Sequence, residues 1–251
     1  MNQELRDRFA ALHVPGDPLL LYNIWDVGSA VAVAKAGAPA LSTGSHSLAE
    51  ALGYPDGEGI PLKVLLETVR RIVAAVDIPV SVDFEGGFAA DPAHLAEHAR
   101  LVAEAGAIGV NFEDQVIGGK GLHPVAEQAR RVAAVAASGL WVSARTDLFL
   151  HKYFAGENSN DRALLPEGLE RAHAYAEAGA HSFFVPGITD LDLIADVCAA
   201  SPLPVNVIKP PEHDFPALAG SGVARISWGP RPWIWAMQRL TEEAKALYSG
   251  A

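Results

Sequence analysis

Residues 78–115, IPVSVDFEGGFAADPAHLAEHARLVAEAGAIGVNFEDQ, contain the pattern that decides the fold. Two short apolar runs, at 78–85 and 107–114, flank an alanine-rich stretch with helical spacing at 92–106. The order strand, helix, strand is typical of parallel β-sheets, because a crossover helix brings the chain back to begin the next strand. The stretch therefore predicts one β/α unit of an α/β protein.

The same unit recurs along the whole chain. The predicted strands are 19–23, 39–44, 78–85, 107–114, 140–147, 182–187, 204–210 and 224–229. A weak repeat of helix end, glycine cap and strand supports them, with Gly37, Gly106, Gly179 and either Gly220 or Gly222 as the caps. Eight alternations in 251 residues favour a closed (β/α)8 TIM barrel over an open sheet, and we expect one domain spanning residues 1–251.

Composition limits the partners that the protein can have. The sequence has 30 acidic and 19 basic residues, which argues against nucleic acid as a partner because phosphate binding needs a basic face. The single cysteine, Cys198, excludes an internal disulfide and a cysteine-rich zinc site. The first residues lack the apolar core of a signal peptide, and no apolar run reaches membrane-spanning length. We therefore expect a cytoplasmic protein without a membrane partner.

Two segments outside the regular repeat also support predictions. The polar segment 151–161 is interpreted as a longer loop after the fifth strand. The C-terminal segment 229–248 begins with prolines and aromatic residues and continues as an amphipathic helix, in which Trp233, Trp235 and Met237 make a large apolar surface. This helix is either the eighth helix of the barrel or a helix that docks on a partner subunit.

Polar side chains collect at the predicted strand ends, where parallel barrels have their active sites. Asp83 and Glu85 share one face of their strand because side chains alternate, and Glu113 ends the next strand. Carboxylates that converge without a cation repel one another and take up protons. The three acids therefore predict a hard divalent cation, Mg²⁺ or Mn²⁺. The alternative is that they form salt bridges with basic residues at the rim.

Other strand-end residues suggest a site for an organic anion. Arg145 can bind a carboxylate through two parallel hydrogen bonds, or it can form a structural ion pair with Asp147 or Glu113. The small-residue turn Thr43-Gly44-Ser45 can offer backbone N–H groups to a carboxylate. Lys120 and His123, in the loop VIGGKGLHP, and Tyr22 are unranked candidates for the general acid or base.

Four motifs follow one another along the chain: ALGYPDGE (51–58), VDFEGGF (82–88), NFEDQ (111–115) and SARTD (143–147). Their order and spacing resemble those of the isocitrate lyase/phosphoenolpyruvate mutase superfamily, and the resemblance extends from residue 22 to the last helix. It implies a (β/α)8 barrel whose final helix is exchanged between subunits of a homodimer or homotetramer. It also implies Mg²⁺ held directly by Asp83, with Asp56, Glu85 and Glu113 acting largely through waters.

The resemblance further implies a substrate site and a chemistry. The substrate would be a small 2-oxo or 2-hydroxy carboxylic acid that chelates the metal. Its carboxylate would rest on the turn 43–45 and on Arg145. The other residues assigned to substrate binding are Tyr22, Asn111 and Asn206. The chemistry would cleave or form a bond next to the carbonyl group, and the metal would stabilise the resulting enolate.

Three differences from members of this superfamily limit the reactions that we expect the protein to catalyse. The loop 116–124 lacks the cysteine of the KKCGH or KRCGH loop in the lyases, and it is shorter than the gating loop of phosphonate-processing members. Gly187 stands where the lyases have a glutamate. We expect a Mg²⁺-dependent lyase that acts by C–C cleavage or decarboxylation. The alternatives are a phosphonopyruvate-type mutase or hydrolase that acts on a C–P bond, and a non-catalytic 2-oxo-acid binder.

Overall fold

The computed structural model describes residues 2–249, and these residues form a (β/α)8 barrel. The parallel strands are β1 (Leu19–Leu21), β2 (Leu41–Ser42), β3 (Val80–Asp83), β4 (Gly109–Glu113), β5 (Trp141–Arg145), β6 (Ser182–Phe184), β7 (Val205–Ile208) and β8 (Arg225–Ser227). Each lies inside a predicted segment, so the predicted fold class is confirmed. Pairing of Leu19 with Arg225 joins β1 to β8, and the bridge between Ile24 and Thr43 joins the ends of β1 and β2.

Helices connect the strands around the outside of the barrel. They are α1 (Gln3–Ala11), α2 (Val27–Lys35), α3 (Ser45–Ala51), α4 (Leu62–Ala74), α5 (Pro92–Glu104), α6 (Val125–Ala136), α7 (Leu148–Phe154), α8 (Leu165–Glu177), α9 (Leu191–Ala200), α10 (Phe215–Gly220) and α11 (Arg231–Ser249). A 3₁₀ turn at Arg162–Leu164 precedes α8. The interpretation of 151–161 as a loop is wrong for its first residues. The chain stays helical to Phe154 because α7 buries Leu148 and Phe149 in the core.

The β/α unit at residues 78–115 shows why the sequence pattern folds in this way. Asp91 is the N-cap residue of α5. Its Oδ1 accepts hydrogen bonds from the backbone N–H groups of Ala93 and His94 at 3.0 and 3.2 Å. The helix then buries Leu95 and Val102 against the outer face of the sheet. It ends before Gly106, whose φ of +96° lies in the left-handed region that favours glycine.

The faces of the strands divide the barrel into two environments. Val82, Val110 and Val142 belong to the main hydrophobic core between the sheet and the helices. Most of the alternate positions on the same strands are polar, among them Asp83 and Asn111. This alternation places polar side chains inside the barrel and leads them to its carboxyl-terminal end.

Helix α11 differs from the other helices in how little of it is buried. The predicted segment 229–248 corresponds to Arg231–Ser249, and only Pro232 is buried among its described residues. Trp235, Leu240 and Leu247 are 45%, 60% and 68% exposed. Residues 1, 250 and 251 of the predicted domain lie outside the described part of the chain. No helix in residues 2–249 combines the length and the apolar character needed to cross a membrane.

Candidate active site

A cavity of about 370 Å³ opens at the carboxyl-terminal end of the barrel, between the segments that follow β2, β3, β4 and β5. Its lining includes Ser45, Asp56, Glu85, Glu113 and Arg145. The sequence predicted these residues as parts of one site, and the structure brings them to one cavity. Three carboxyl groups and one guanidinium group in so small a space give the cavity the chemistry of a site for a cation and an organic anion.

Asp83 ends β3 beside this cavity, and its neighbours hold its carboxylate in place. Its Oδ2 accepts a hydrogen bond from the backbone N–H of Ser45 at 3.0 Å, and its own N–H donates to Thr43 Oγ1 at 2.9 Å. Its Oδ1 is inaccessible to solvent and has no hydrogen-bond partner among residues 2–249. Burial raises the pKa of Asp83, although the charge of Arg145 opposes the shift. Asp83 therefore offers one buried, uncommitted ligand oxygen.

Glu85 follows in a turn with an uncommon backbone conformation. Its φ is +50°, in the left-handed region that non-glycine residues rarely adopt. Its Oε2 accepts a hydrogen bond from the backbone N–H of Glu58 at 2.7 Å. Burial, and next to it the charge of Asp83, raise the pKa of Glu85 to about 8. A carboxyl group that is buried and close to other acids has such a raised pKa, and a nearby cation would lower it again.

Glu113 and Arg145 face each other across neighbouring strands. Arg145 Nη1 lies 2.8 Å from Glu113 Oε2, while Nε and Nη2 lie 2.5 and 2.9 Å from the two carboxylate oxygens of Asp147. Burial raises the pKa of Glu113 well above its ordinary value. Burial alone would lower the pKa of Arg145, but Asp147, Glu113 and Asp83 raise it well above its usual range. The ion pairs that the sequence left open as an alternative are thus present.

The donor set suits Mg²⁺ in kind, although the side chains do not form a finished cage. Within residues 2–249, no three His, Cys, Asp or Glu side chains are grouped closely enough to hold a metal ion. Asp56 is exposed, with Oδ2 3.7 Å from His46 Nδ1. The buried free oxygen of Asp83 and the carboxyl groups of Glu85 and Glu113 are the hard oxygen donors that Mg²⁺ prefers. The residues therefore fit the ion, and the metal site stays a prediction.

The residues predicted to bind the substrate lie in three different places. Thr43, Gly44 and Ser45 form the turn before α3, where Ser45 and Thr43 hold Asp83. The predicted residues Asn111 and Asn206 are buried in the barrel interior. Tyr22 lies at the rim, with its ring 5.7 Å from that of Trp228. Their contact with a substrate stays a prediction.

The two loop residues predicted to act in catalysis do not line the carboxylate cavity. Lys120 is exposed in the loop between β4 and α6. His123 Nδ1 lies 3.1 Å from Glu127 Oε1, and the ring lines a neighbouring cavity of about 270 Å³. Burial lowers the pKa of His123. A role for either residue would require the loop 116–124 to move, and both roles stay predictions.

Sequence reasoning missed a buried network that positions Arg145. Asp114 is fully buried, and its Oδ1 accepts a hydrogen bond from the backbone N–H of Asp147 at 2.9 Å. Its Oδ2 accepts from Arg171 Nη1 at 3.0 Å and from the hydroxyl of Tyr175 at 2.8 Å. Asp114 therefore fixes the turn that presents Arg145. In the sequence, Asp114 is recognisable only as an aspartate directly after a predicted strand. Its partners Arg171 and Tyr175 lie 57 and 61 residues further along the chain, on α8, so the local pattern does not reveal them.

Comparison with known families gives a match over almost the whole chain. The family model of phosphoenolpyruvate phosphomutase matches residues 9–248. An uncharacterised protein of Mycobacterium tuberculosis H37Rv is 31% identical, with 96% of this chain and 89% of that protein covered. The 2-methylisocitrate lyase of Salmonella typhimurium LT2 is 31% identical over 79% of this chain and 72% of the enzyme. The oxaloacetate decarboxylase of Bradyrhizobium sp. BTAi1 is 29% identical, with 83% and 72% covered.

Solved structures share the architecture. A protein from Burkholderia cenocepacia J2315 that is described as a phosphonomutase has a TM-score of 0.92 and 44% identity, with 96% of this chain and 99% of that chain covered. A phosphonopyruvate hydrolase in complex with oxalate and Mg²⁺ has a TM-score of 0.83 and 21% identity, with 98% and 88% covered. At that identity the second likeness concerns the fold.

Proposed function

The chain belongs to the phosphoenolpyruvate phosphomutase family, within the isocitrate lyase/phosphoenolpyruvate mutase superfamily of enzymes, and from that premise we propose that it is a Mg²⁺-dependent lyase. Its substrate is a small 2-oxo or 2-hydroxy carboxylic acid, and its reaction is C–C cleavage or decarboxylation. Asp83, with Glu85, Glu113 and Asp56, binds the metal. The turn 43–45 and Arg145 bind the carboxylate of the substrate.

The observation that carries this proposal is the buried Oδ1 of Asp83, which has no hydrogen-bond partner within residues 2–249. The other carboxylate oxygen of Asp83 accepts a hydrogen bond from Ser45, which lines the same cavity as Arg145. A buried carboxylate oxygen without a partner is rare, because it loses its water without gaining a bond. A cation at Asp83 would satisfy this oxygen and would relieve the raised pKa values of its neighbours. The guanidinium of Arg145 would then hold an anion next to that cation.

The residues present fit decarboxylation or C–C cleavage better than chemistry that depends on a loop base. In decarboxylation CO₂ leaves, and the electron pair of the broken bond passes to the carbon next to the carbonyl group and gives an enolate. In C–C cleavage of a hydroxy acid the hydroxyl group gives up its proton and becomes the carbonyl group of the departing fragment, while the electron pair of the broken bond again gives an enolate. Bound Mg²⁺ would supply the positive charge that stabilises such an enolate. Arg145 orients the carboxylate next to the buried side chain of Glu113. A proton must then reach the new carbanion, and Lys120, His123 and Tyr22 are the candidate donors.

The experiment that tests the proposal is an assay of oxaloacetate with Mg²⁺, followed by the pyruvate formed above the metal-only background. Asp83→Asn should lower the rate at least a hundredfold, because it removes the negative charge from the predicted direct ligand. Asp77→Asn makes the same exchange in the exposed turn just before β3 and should leave the rate unchanged. Equal rates for both variants and the native chain would contradict the proposal, as would no turnover across a panel of 2-oxo and 2-hydroxy acids.

A second candidate is a mutase or hydrolase acting on a C–P bond. It is favoured by the 44% identity to the Burkholderia protein described as a phosphonomutase. Phosphonopyruvate with Mg²⁺ would then give phosphate or an isomeric phosphate ester. The third alternative, a binder without activity, predicts Mg²⁺-dependent binding of oxalate or pyruvate with no turnover of either substrate class.

The proposal extends to the assembly and location of the protein. We propose that α11 is exchanged between subunits of a homodimer or homotetramer, which the exposed apolar side chains of this helix support. The partners are then a small carboxylic acid and further copies of the chain, without nucleic acid or membrane. A cytoplasmic location remains a prediction that cell fractionation would test.

A further inference from the structure

Arg225 lies inside the barrel, below the carboxylates of the candidate active site. It begins β8, where it pairs with Leu19 of β1 and Asn206 of β7. Its side chain is 0% exposed and crosses the barrel, so that Nη2 donates to Asn111 Oδ1 on β4 at 3.0 Å. Barrel interiors are filled mainly by branched apolar side chains, so a buried arginine at this position calls for a physical reason.

The guanidinium of Arg225 is poorly compensated. Arg145 and Arg171 each contact carboxylates, whereas no ion pair of Arg225 occurs within residues 2–249. In the same described region its Nε and Nη1 have no hydrogen-bond partner. Burial lowers the pKa of Arg225 to about 10, so the group still carries its charge at neutral pH. A buried charge without an adjacent counter-ion is destabilising, which indicates that the charge serves the site rather than the fold.

Arg225 and Asp83 are both neighbours of Asn111. Asp83, Asn111 and Ser143 are partners across β3, β4 and β5, so they form one row of the barrel. Arg225 reaches the middle member of that row. The charges of Asp83 and Arg225 act on each other, since Asp83 raises the pKa of Arg225 against the effect of burial. Asp83 therefore has the positive charge of Arg225 near it, inside the barrel.

We propose that Arg225 is a positioning residue that keeps the divalent-cation site weak until an anionic substrate is bound. The proposal rests on the proposed function, since it needs Asp83 as the metal ligand. A fixed positive charge repels a cation at Asp83, and such repulsion is strong where water is excluded. The carboxylate of the substrate supplies the compensating negative charge. Metal and substrate therefore bind with positive coupling, each increasing the affinity of the other.

The test is the binding of Mn²⁺ with and without oxalate, measured by the loss of the free-ion electron paramagnetic resonance signal and corrected for the Mn²⁺–oxalate complex in solution. Arg225→Met and Arg225→Gln remove the charge, and glutamine can still donate to Asn111. Both should bind Mn²⁺ at least tenfold more tightly without oxalate and show a smaller enhancement by oxalate. Arg225→Lys keeps the charge and should behave as the native chain.

Arg6→Met is the matched control, because it removes one positive charge from the part-buried Arg6, which contacts the Gly139 carbonyl and His181. It should leave Mn²⁺ binding unchanged. The proposal is overturned if the native chain shows no positive coupling between Mn²⁺ and oxalate, a result that needs no variant. It is also overturned if a folded neutral variant binds Mn²⁺ as the native chain does or more weakly. Failure of the proposed function is a separate result, namely the same Mn²⁺ binding in Asp83→Asn as in the native chain.

Discussion

At the scale of single residues, the geometry of Arg145 sets what the site can recognise. One guanidinium group contacts Glu113 through Nη1 and Asp147 through Nε and Nη2, and it still lines the cavity. Its face lies over the ring of Phe184 at 5.8 Å. A planar group with five fixed donors can make these contacts together, whereas an ammonium group cannot. The shape of Arg145, and not only its charge, should therefore matter for substrate binding.

We therefore expect Arg145→Lys to bind oxalate roughly 10- to 100-fold more weakly in the presence of Mg²⁺. The expected loss is about 1.5–3 kcal/mol, the usual contribution of a hydrogen bond to a charged group. Titration calorimetry gives the dissociation constants directly. Arg162→Lys, at an exposed arginine that pairs with Asp196, is the control and should bind as the native chain does. Native-like oxalate affinity in Arg145→Lys would show that a single positive charge is enough at this position.

A second prediction at the same scale concerns His13 and the stability of the fold. Its ring stacks on Trp141 with the centroids 4.6 Å apart. Burial, followed by the charge of Arg225, lowers the pKa of His13 to about 3. Between about pH 6.5 and pH 3 the unfolded chain binds a proton at this histidine and the folded chain does not. The free energy of unfolding therefore falls as the pH falls through this range.

At pH 5 this contribution should reach about 2 kcal/mol relative to pH 7. Urea unfolding of His13→Asn at both pH values should show a loss that is smaller by about that amount than in the native chain. His173→Asn, at an exposed histidine on α8, should keep the native difference. An unchanged pH dependence in His13→Asn would mean that this ring is protonated in the folded protein.

The sequence alone predicted the positions of those site residues that directly follow a predicted strand. Asp83, Glu85, Glu113 and Arg145 follow short apolar runs, so their place at one end of the barrel follows from the alternation of strands and helices. The partners of these side chains did not follow. That Arg145 contacts Glu113 and Asp147 at once depends on rotamers and burial, which spacing does not reveal.

At the scale of elements, strands were predicted better than short helices. Every strand was a β-branched or apolar run between turns, but β2 is only two residues long because pairing with β3 covers just Leu41 and Ser42. Helix α7 was missed because a seven-residue helix has little intrinsic stability and forms here by packing its side chains into the core. The sequence pattern thus predicted the strands, whereas the formation of the short helix α7 depends on tertiary contacts that the pattern does not reveal.

The turn after β6 shows such a tertiary contact and allows a third prediction. Gly187 has a φ of +98°, and a Cβ atom there would lie 2.7 Å from the backbone N and Cα of Leu150. The turn therefore packs directly on α7, which leaves no room for the glutamate of the lyases. Gly187→Ala should lower the free energy of unfolding through the unfavourable φ, and by about 1–3 kcal/mol more through overpacking.

Gly156→Ala is the matched control, because Gly156 also has a positive φ, of +70°, but a Cβ atom there would meet nothing within 4 Å. Urea unfolding of the two variants separates the backbone effect from the packing effect. Gly187→Ala should also weaken oxalate binding, because α7 contributes Leu150 and Phe154 to the cavity wall. Equal destabilisation in the two variants would contradict the close contact between the turn and α7.

At the scale of the whole molecule, helix α11 carries apolar side chains that the single chain leaves exposed. The formal charge of −11 opposes association between copies of the protein through electrostatic repulsion. The last helix, however, exposes Trp235, Leu240 and Leu247. Leu240 and Leu247 are seven residues apart and share one helix face. Apolar side chains on one helix face favour association when another surface covers them. Exchange of α11 between two copies would bury this face and would give each barrel a helix beside β8.

Exchange of α11 predicts that the protein is an oligomer in solution. In light scattering at micromolar concentration the native chain should have two or four times the monomer mass, and the double variant Leu240→Asp/Leu247→Asp should be monomeric. Its circular dichroism should stay native-like, because both side chains are mostly exposed in the single chain. Glu242→Gln, on the same helix, should keep the native mass. A native chain that is monomeric would contradict the exchange of α11, and the barrel with its carboxylate cavity would then have to function alone.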